Sequence, residues 1–165
     1  MSSQEFFKAV LVGESNVGKT CVISQYVSNE FNSESQQTTG AKYFSKEIEL
    51  ADKSIKLDIW DTAGQQKFRS LCKLFIIDSK AIILIYDCTD ENSFKEIKDY
   101  WYTTYKDYDA IFFVVANKCD LENKKVKDEE GKEFADSIGA NFFSISAKDN
   151  IGISELFQKV GETLI

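Results

Sequence analysis

Five short runs rich in Val, Ile, Phe and Leu punctuate the chain, at Phe6 to Val12, Ile55 to Trp60, Ala81 to Tyr86, Ile111 to Ala116 and Asn141 to Ser146. Apolar runs of this length, bounded by polar segments, read as strands buried on both faces. Between them lie helical patterns at Lys19 to Val27, about Gln66 to Ser79, Asn92 to Tyr105, Asp128 to Ile138 and Ser154 to Leu164. In the last of these Leu156, Phe157, Val160 and Leu164 form one stripe, with Ser154 as the expected N-cap and Glu155 in the first turn. Strand and helix alternate throughout, which implies right-handed crossovers and a mainly parallel sheet covered on both faces. One pair breaks the alternation. Tyr43 to Leu50 is separated from Ile55 to Trp60 only by Ala51-Asp52-Lys53-Ser54, too short for a crossover, so an antiparallel hairpin is expected at the sheet edge. The resulting fold class is α/β in three layers, a mainly parallel six-stranded sheet with one antiparallel edge strand and helices on both faces. Ser28 to Gly40, crowded with Ser, Asn, Gln and Thr, is expected to be a mobile loop.

The chain has 165 residues, 43% hydrophobic and 28% charged, which fits one domain spanning residues 1–165. A net charge of -7 argues against a nucleic-acid partner, because broad phosphate-backbone binding wants a basic surface. Cys21, Cys72, Cys88 and Cys119 stand far apart, and there is no histidine, which excludes structural zinc and suggests reduced, packed thiols in a cytoplasmic protein. The start carries no charged leader followed by an apolar stretch, and no eighteen apolar residues run together, so neither secretion nor membrane spanning is expected. The aromatic stretch from Tyr100 to Tyr105 reads as helix residues, some packed on the sheet, rather than as a partner-binding patch.

Candidate chemistry clusters just after the strands. Gly13-Glu14-Ser15-Asn16-Val17-Gly18-Lys19-Thr20 fits G-x-x-x-x-G-K-[ST] and directly follows the first strand. Glycines let backbone N–H groups close around phosphates, Lys19 reaches the outer phosphates and Thr20 offers a hydroxyl to Mg²⁺. By accident the string would occur in roughly one chain in a hundred of this length, so context has to support it. Asp61-Thr62-Ala63-Gly64-Gln65 follows the second of the five strands, where a phosphate-loop fold places a carboxylate that helps to hold Mg²⁺, and Gly64 would present its N–H to a terminal phosphate. Asn117-Lys118-Cys119-Asp120 and Ser146-Ala147-Lys148 follow the last two strands and together fit a base pocket. A carboxylate such as Asp120 accepts from the paired N–H donors on guanine's edge, whereas adenine offers no such pair.

The combination GESNVGKT, Thr38, DTAGQ, NKCD and SAK resembles a Ras-superfamily small GTPase over essentially the whole chain. Further strings, Lys56 to Trp60, Lys67 to Leu71 and Leu84 to Thr89, are similar to the Rab branch. The resemblance implies that Thr38 joins Thr20 and Asp61 around Mg²⁺ and that its N–H meets the γ-phosphate. It also implies that Phe31 packs against guanine, that Lys118 and Lys148 line the base pocket, that Cys21 contacts the α-phosphate through its backbone, and that Gln65 positions the attacking water. Hydrolysis would be in-line attack on the γ-phosphorus, with Lys19 and the loop N–H groups stabilising charge. Arg69, the only arginine, matches a switch II position rather than a built-in finger, so slow intrinsic turnover and stimulation by a GAP arginine supplied in trans are expected.

As a molecular switch in vesicle traffic, such a protein would bind GTP or GDP and meet an exchange factor, a GAP, GTP-dependent effectors and a GDI. It would act as a monomer, reaching the cytosolic face of an endomembrane only through a lipidated C-terminal tail, for which this sequence ending at Ile165 carries no signal. The chain departs from the Rab pattern at Ser35, Thr39 and Gln66 and over Phe75-Ile76-Ile77-Asp78-Ser79, where the branch has Tyr-Tyr-Arg-Gly-Ala. Alternatives are a phosphate-loop kinase or ATPase, another Ras-superfamily branch, and a nucleotide-binding module that never hydrolyses GTP.

Overall fold

The computed structural model describes residues 5–29, 41–62 and 69–165. Six strands, β1 (Glu5–Val12), β2 (Ala41–Glu49), β3 (Ser54–Thr62), β4 (Ala81–Asp87), β5 (Ile111–Asn117) and β6 (Asn141–Ser144), form one sheet in the order β2-β3-β1-β4-β5-β6. Neighbours are parallel except β2 and β3, whose hairpin register runs from Ala41 opposite Thr62 to Glu49 opposite Ser54. The edge hairpin expected from the four-residue connection is therefore present, closed by Leu50 N donating to Lys53 O at 2.7 Å.

The helices are α1 (Lys19–Ser28), α2 (Arg69–Ile76), α3 (Glu91–Glu96), a π-helical segment (Ile97–Tyr102), α4 (Thr103–Tyr105), α5 (Asp128–Ser137) and α6 (Ile153–Leu164). On one face of the sheet Ala9 and Leu11 pack with Val22 and Ile23 of α1 and with Leu156, Phe157 and Val160 of α6. On the other, Val10 and Val12 meet Phe94, Ile97, Trp101 and Tyr105. The period-2 alternation of β1 thus feeds both layers. Full burial of each such side chain contributes about 1.5–3 kcal/mol, so apolar helix faces rather than helix propensity hold the layers in place. Trp101 and Tyr105 are buried while Tyr100 and Tyr102 are half-buried, as the helix reading of that stretch expects.

Several boundaries differ from the sequence expectation. Helix α6 starts at Ile153 with Gly152 as its N-cap, in left-handed backbone (φ 77°) and with no side-chain cap, so Ser154 falls inside the first turn. The cause lies upstream: β6 stops at Ser144, and Ser146 instead forms an antiparallel bridge with Ile151, which delivers the chain into the helix early. Helix α1 extends to Ser28 and ends on Asn29 in left-handed backbone (φ 58°), so the loop expected from Ser28 begins later; its residues 30–40 lie outside the described residues. Helix α2 ends at Ile76, because Asp78 turns into left-handed backbone (φ 69°). Asp78 stands where the Rab pattern has glycine, and aspartate is among the few residues that enter this region readily.

Candidate functional site

β1 has β3 on one side and β4 on the other, so the chain order reverses there and the loop after β1 opens at the switch point of the sheet. That loop is Gly13 to Gly18. Its tightness needs glycine at both ends: a Cβ on Gly13 would stand 2.2 Å from the Ile85 carbonyl oxygen, and one on Gly18 (φ 98°) would stand 2.4 Å from Asn117 Nδ2. Helix α1 begins immediately after, its N-terminus facing the same edge.

Lys19 is buried, and its ammonium donates to the carbonyls of Gly13 at 3.1 Å and Glu14 at 2.7 Å, which curls the loop around it. Thr20 Oγ1 donates to Asp61 Oδ2 at 2.5 Å, joining the start of α1 to the fully buried carboxylate of β3. Among the described residues no cluster of three or more His, Cys, Asp or Glu could hold a metal. Ser15 is half-buried, Asn16 is exposed in left-handed backbone (φ 70°), Val17 is buried and Cys21 is half-buried.

Asn117, 1% exposed at the end of β5, ties the two halves of the site together. Its Nδ2 donates to Val17 O at 2.8 Å, and its Oδ1 accepts from Ala147 N at 3.2 Å. Ser146 Oγ donates to Asp120 Oδ1 at 2.8 Å and accepts from Asp149 N at 3.0 Å. Gln25 Nε2 of α1 donates to Ala147 O at 2.6 Å, bracing the same loop from below. Lys118 takes positive φ (68°), a strained conformation for a side-chain-bearing residue, and from it reaches Asn16 O and Asp87 Oδ2, each at 2.9 Å. Lys148 is exposed at the rim.

The structure therefore brings together Gly13, Glu14, Ser15, Asn16, Val17, Gly18, Lys19, Thr20, Cys21, Asp61, Asn117, Lys118, Asp120, Ser146, Ala147 and Lys148 along one sheet edge. Phe31, Thr38, Gly64 and Gln65 lie outside the described residues. Sequence reasoning missed Asp87, whose signal was a carboxylate at the end of β4. Asp87 Oδ1 also accepts from Thr89 N at 2.8 Å and Thr89 Oγ1 at 2.7 Å, so it orients Lys118 while being held itself. Also missed was an aromatic row between the β2–β3 edge and α2, in which Trp60 meets Tyr43 at 5.3 Å and stacks on Phe75 at 5.4 Å between ring centroids.

Among the described cysteines, burial pushes the Cys88 thiol up to about 11 and raises Cys119, which keeps both largely protonated near neutral pH.

A glycine-bounded loop at the switch point of a parallel sheet, closed around a buried lysine, defines a phosphate-loop nucleotide-binding protein. A sequence profile described as "Ras family" matches residues 8–165. The chain is 38% identical to Ras-related protein Rab-3A of Homo sapiens, over 99% of this chain and 77% of that protein. It is 37% identical to Ras-related protein Rab-3 of Caenorhabditis elegans, over 96% and 74%. It is 39% identical to Ras-related protein Rab-21 of Mus musculus, over 96% and 73%. The chain belongs to the Ras family and is a Rab-like small GTPase, an enzyme that binds GTP and GDP and hydrolyses GTP. Among the described residues no helix is long and apolar enough to cross a membrane.

Proposed function

We propose that this chain is a GTP-driven switch of vesicle traffic in which the phosphate loop holds the nucleotide and Asp120 selects guanine. The observation that carries this reading is the Asn117 stitch. A single buried amide joins the loop that would cradle phosphates to the loop that would close over the base, so both ends of one ligand are set by one residue. Ser146 presents Asp120, leaving the carboxylate a defined direction for guanine's paired N–H donors. A kinase or ATPase would have no use for a carboxylate placed this way.

The oxygen donors Thr20 Oγ1 and Asp61 Oδ2 suit Mg²⁺, a hard cation that takes oxygen ligands, one or two of them carboxylates, and completes its shell with phosphate and water. When bound, it would neutralise charge on the outer phosphates, with Thr38 as the further protein ligand. Lys19 would turn its ammonium toward those phosphates, and the N–H groups from Glu14 to Thr20, together with that of Gly64, would receive their oxygens. Cys21 would meet the inner phosphate through its backbone, while Phe31, Lys118 and Lys148 would sandwich the base. Gln65 would orient water for in-line attack, and Thr38 with Gly64 would sense the γ-phosphate, so hydrolysis would release both segments from their partner-binding shape.

The exposed Tyr43, with Trp60 and Phe75, offers effectors an apolar surface directly beside α2. An exchange factor, a GAP that supplies an arginine, GTP-dependent effectors and a GDI complete the cycle. The protein would act as a monomer on the cytosolic face of an endomembrane, attached through a lipidated tail.

Gln65→Leu tests the hydrolytic half of this reading. GTP binding is expected to persist while single-turnover hydrolysis falls by about a hundredfold. Equal turnover by variant and parent would remove Gln65 from the mechanism.

A further inference from the structure

Arg69, the sole arginine, opens α2, and its guanidinium pairs with Glu14 of the phosphate loop and, at 3.1 Å, with Glu96 of α3. The same group lies 4.2 Å from the ring centre of Tyr100 and 5.4 Å from that of Trp101. Both rings belong to the π-helical segment, so the irregular turn builds the platform on which the guanidinium rests. The cluster is largely shielded: the Arg69 side chain is 11% exposed, Glu14 21% and Glu96 26%. One cation therefore answers two carboxylates, one of them in a loop whose task is to hold phosphate. Glu14 is also the residue whose carbonyl receives the Lys19 ammonium.

We propose that Arg69 is a positioning residue for the nucleotide: it neutralises Glu14 inside the phosphate loop and ties that loop through α2 to α3, so that the highly charged end of the ligand can be accepted. This inference rests on the guanine-nucleotide reading above and adds an electrostatic requirement to it. Glu14 is an anion within a site for anions. Unpaired, it would repel the outer phosphates, and the penalty would grow with the charge of the ligand, being larger for GTP than for GDP. A cation that merely held the fold together would weaken both nucleotides alike.

The test follows release of fluorescent GDP and of a fluorescent non-hydrolysable GTP analogue from the whole chain after a chase with unlabelled nucleotide. Retention by the parent protein tests the nucleotide reading itself. The variants test the role of Arg69. Arg69→Met is expected to speed release of the GTP analogue by about tenfold and of GDP by less. Adding Glu14→Gln to it should slow release of the GTP analogue again relative to Arg69→Met alone, by about threefold or more, because the uncompensated charge beside the phosphates is gone. Unchanged release in Arg69→Met, equal acceleration of both nucleotides, or no recovery in the double variant would each overturn the proposal.

If Arg69→Met fails to fold by circular dichroism, Arg69→Lys carries the test. Lysine keeps the charge but not the planar fork, so release of the analogue within about threefold of the parent supports charge neutralisation, and release tenfold faster or more contradicts it. Amide exchange over Arg69–Ile76 gives a readout independent of nucleotide chemistry. In the GDP-bound protein Arg69→Met should exchange faster there, with or without Glu14→Gln, since the tie to α3 is lost in both; unchanged exchange would refute the tie.

Discussion

The base side and the phosphate side of the site hold their residues by different means. On the base side most residues are held by hydrogen bonds to fixed partners within the chain, Asn117 to Val17 and Ala147, Ser146 to Asp120 and Gln25 to Ala147, with Lys118 paired to Asp87 as the one charged exception described. On the phosphate side, charges answer charges or dipoles: Lys19 against the carbonyls of Gly13 and Glu14, and Arg69 against Glu14 and Glu96. Buried, short-range hydrogen bonds fix geometry and therefore selectivity, whereas compensated charges set how strongly an anion is accepted. On the function proposed above, the site would separate which nucleotide it takes from how tightly it holds the charged end.

The contrast can be broken most severely from the phosphate side. Lys19→Met should lower affinity for GTP and GDP by about a thousandfold, because a buried charge-assisted contact to phosphate is lost, and equilibrium titration with fluorescent nucleotides would measure it. Affinity within a few-fold of the parent would mean that the loop N–H groups carry the anion without the ammonium.

From the base side the effect should be on choice rather than grip. Asp120→Asn is expected to cost guanine nucleotides about a hundredfold in affinity while raising affinity for xanthine nucleotides, whose edge suits an amide. A variant that still preferred guanine would show that the base is read elsewhere.

Asn117→Ala sharpens the comparison, since it cuts the connection between the two sides without removing a charge. Leaving Val17 O and Ala147 N without their amide partner should cost about 2 kcal/mol, seen as a melting temperature lower by about 6 °C in the GDP-bound protein. An unchanged melting temperature would demote the stitch to a passenger of the fold.

Much of this organisation was legible along the chain, because five of the six strands are short apolar runs and the site motifs follow four of them directly. The hairpin was readable from the length of Ala51 to Ser54, too few residues for anything else. The start of α6 was not, because the Ser146–Ile151 bridge is a tertiary event that moves the helix entry ahead of the local capping signal at Ser154. The site residues announced themselves by motif, but their mutual support did not. Asn117 and Asp87 act across loops distant in sequence, and Arg69, which pairs with Glu14, also lies over the rings of Tyr100 and Trp101 from the π-helical turn. No local pattern encodes such contacts, since each depends on the sheet order that places β1, β4 and β5 side by side.

The most direct test of the account is a competition on the purified chain with bound fluorescent GDP and Mg²⁺. Unlabelled GTP and GDP are expected to displace the probe at near-stoichiometric levels, while ATP fails to do so at about a thousandfold excess. Displacement by ATP as readily as by GTP would contradict the assignment of Asp120 and, with it, the reading of the whole site as one built for guanine.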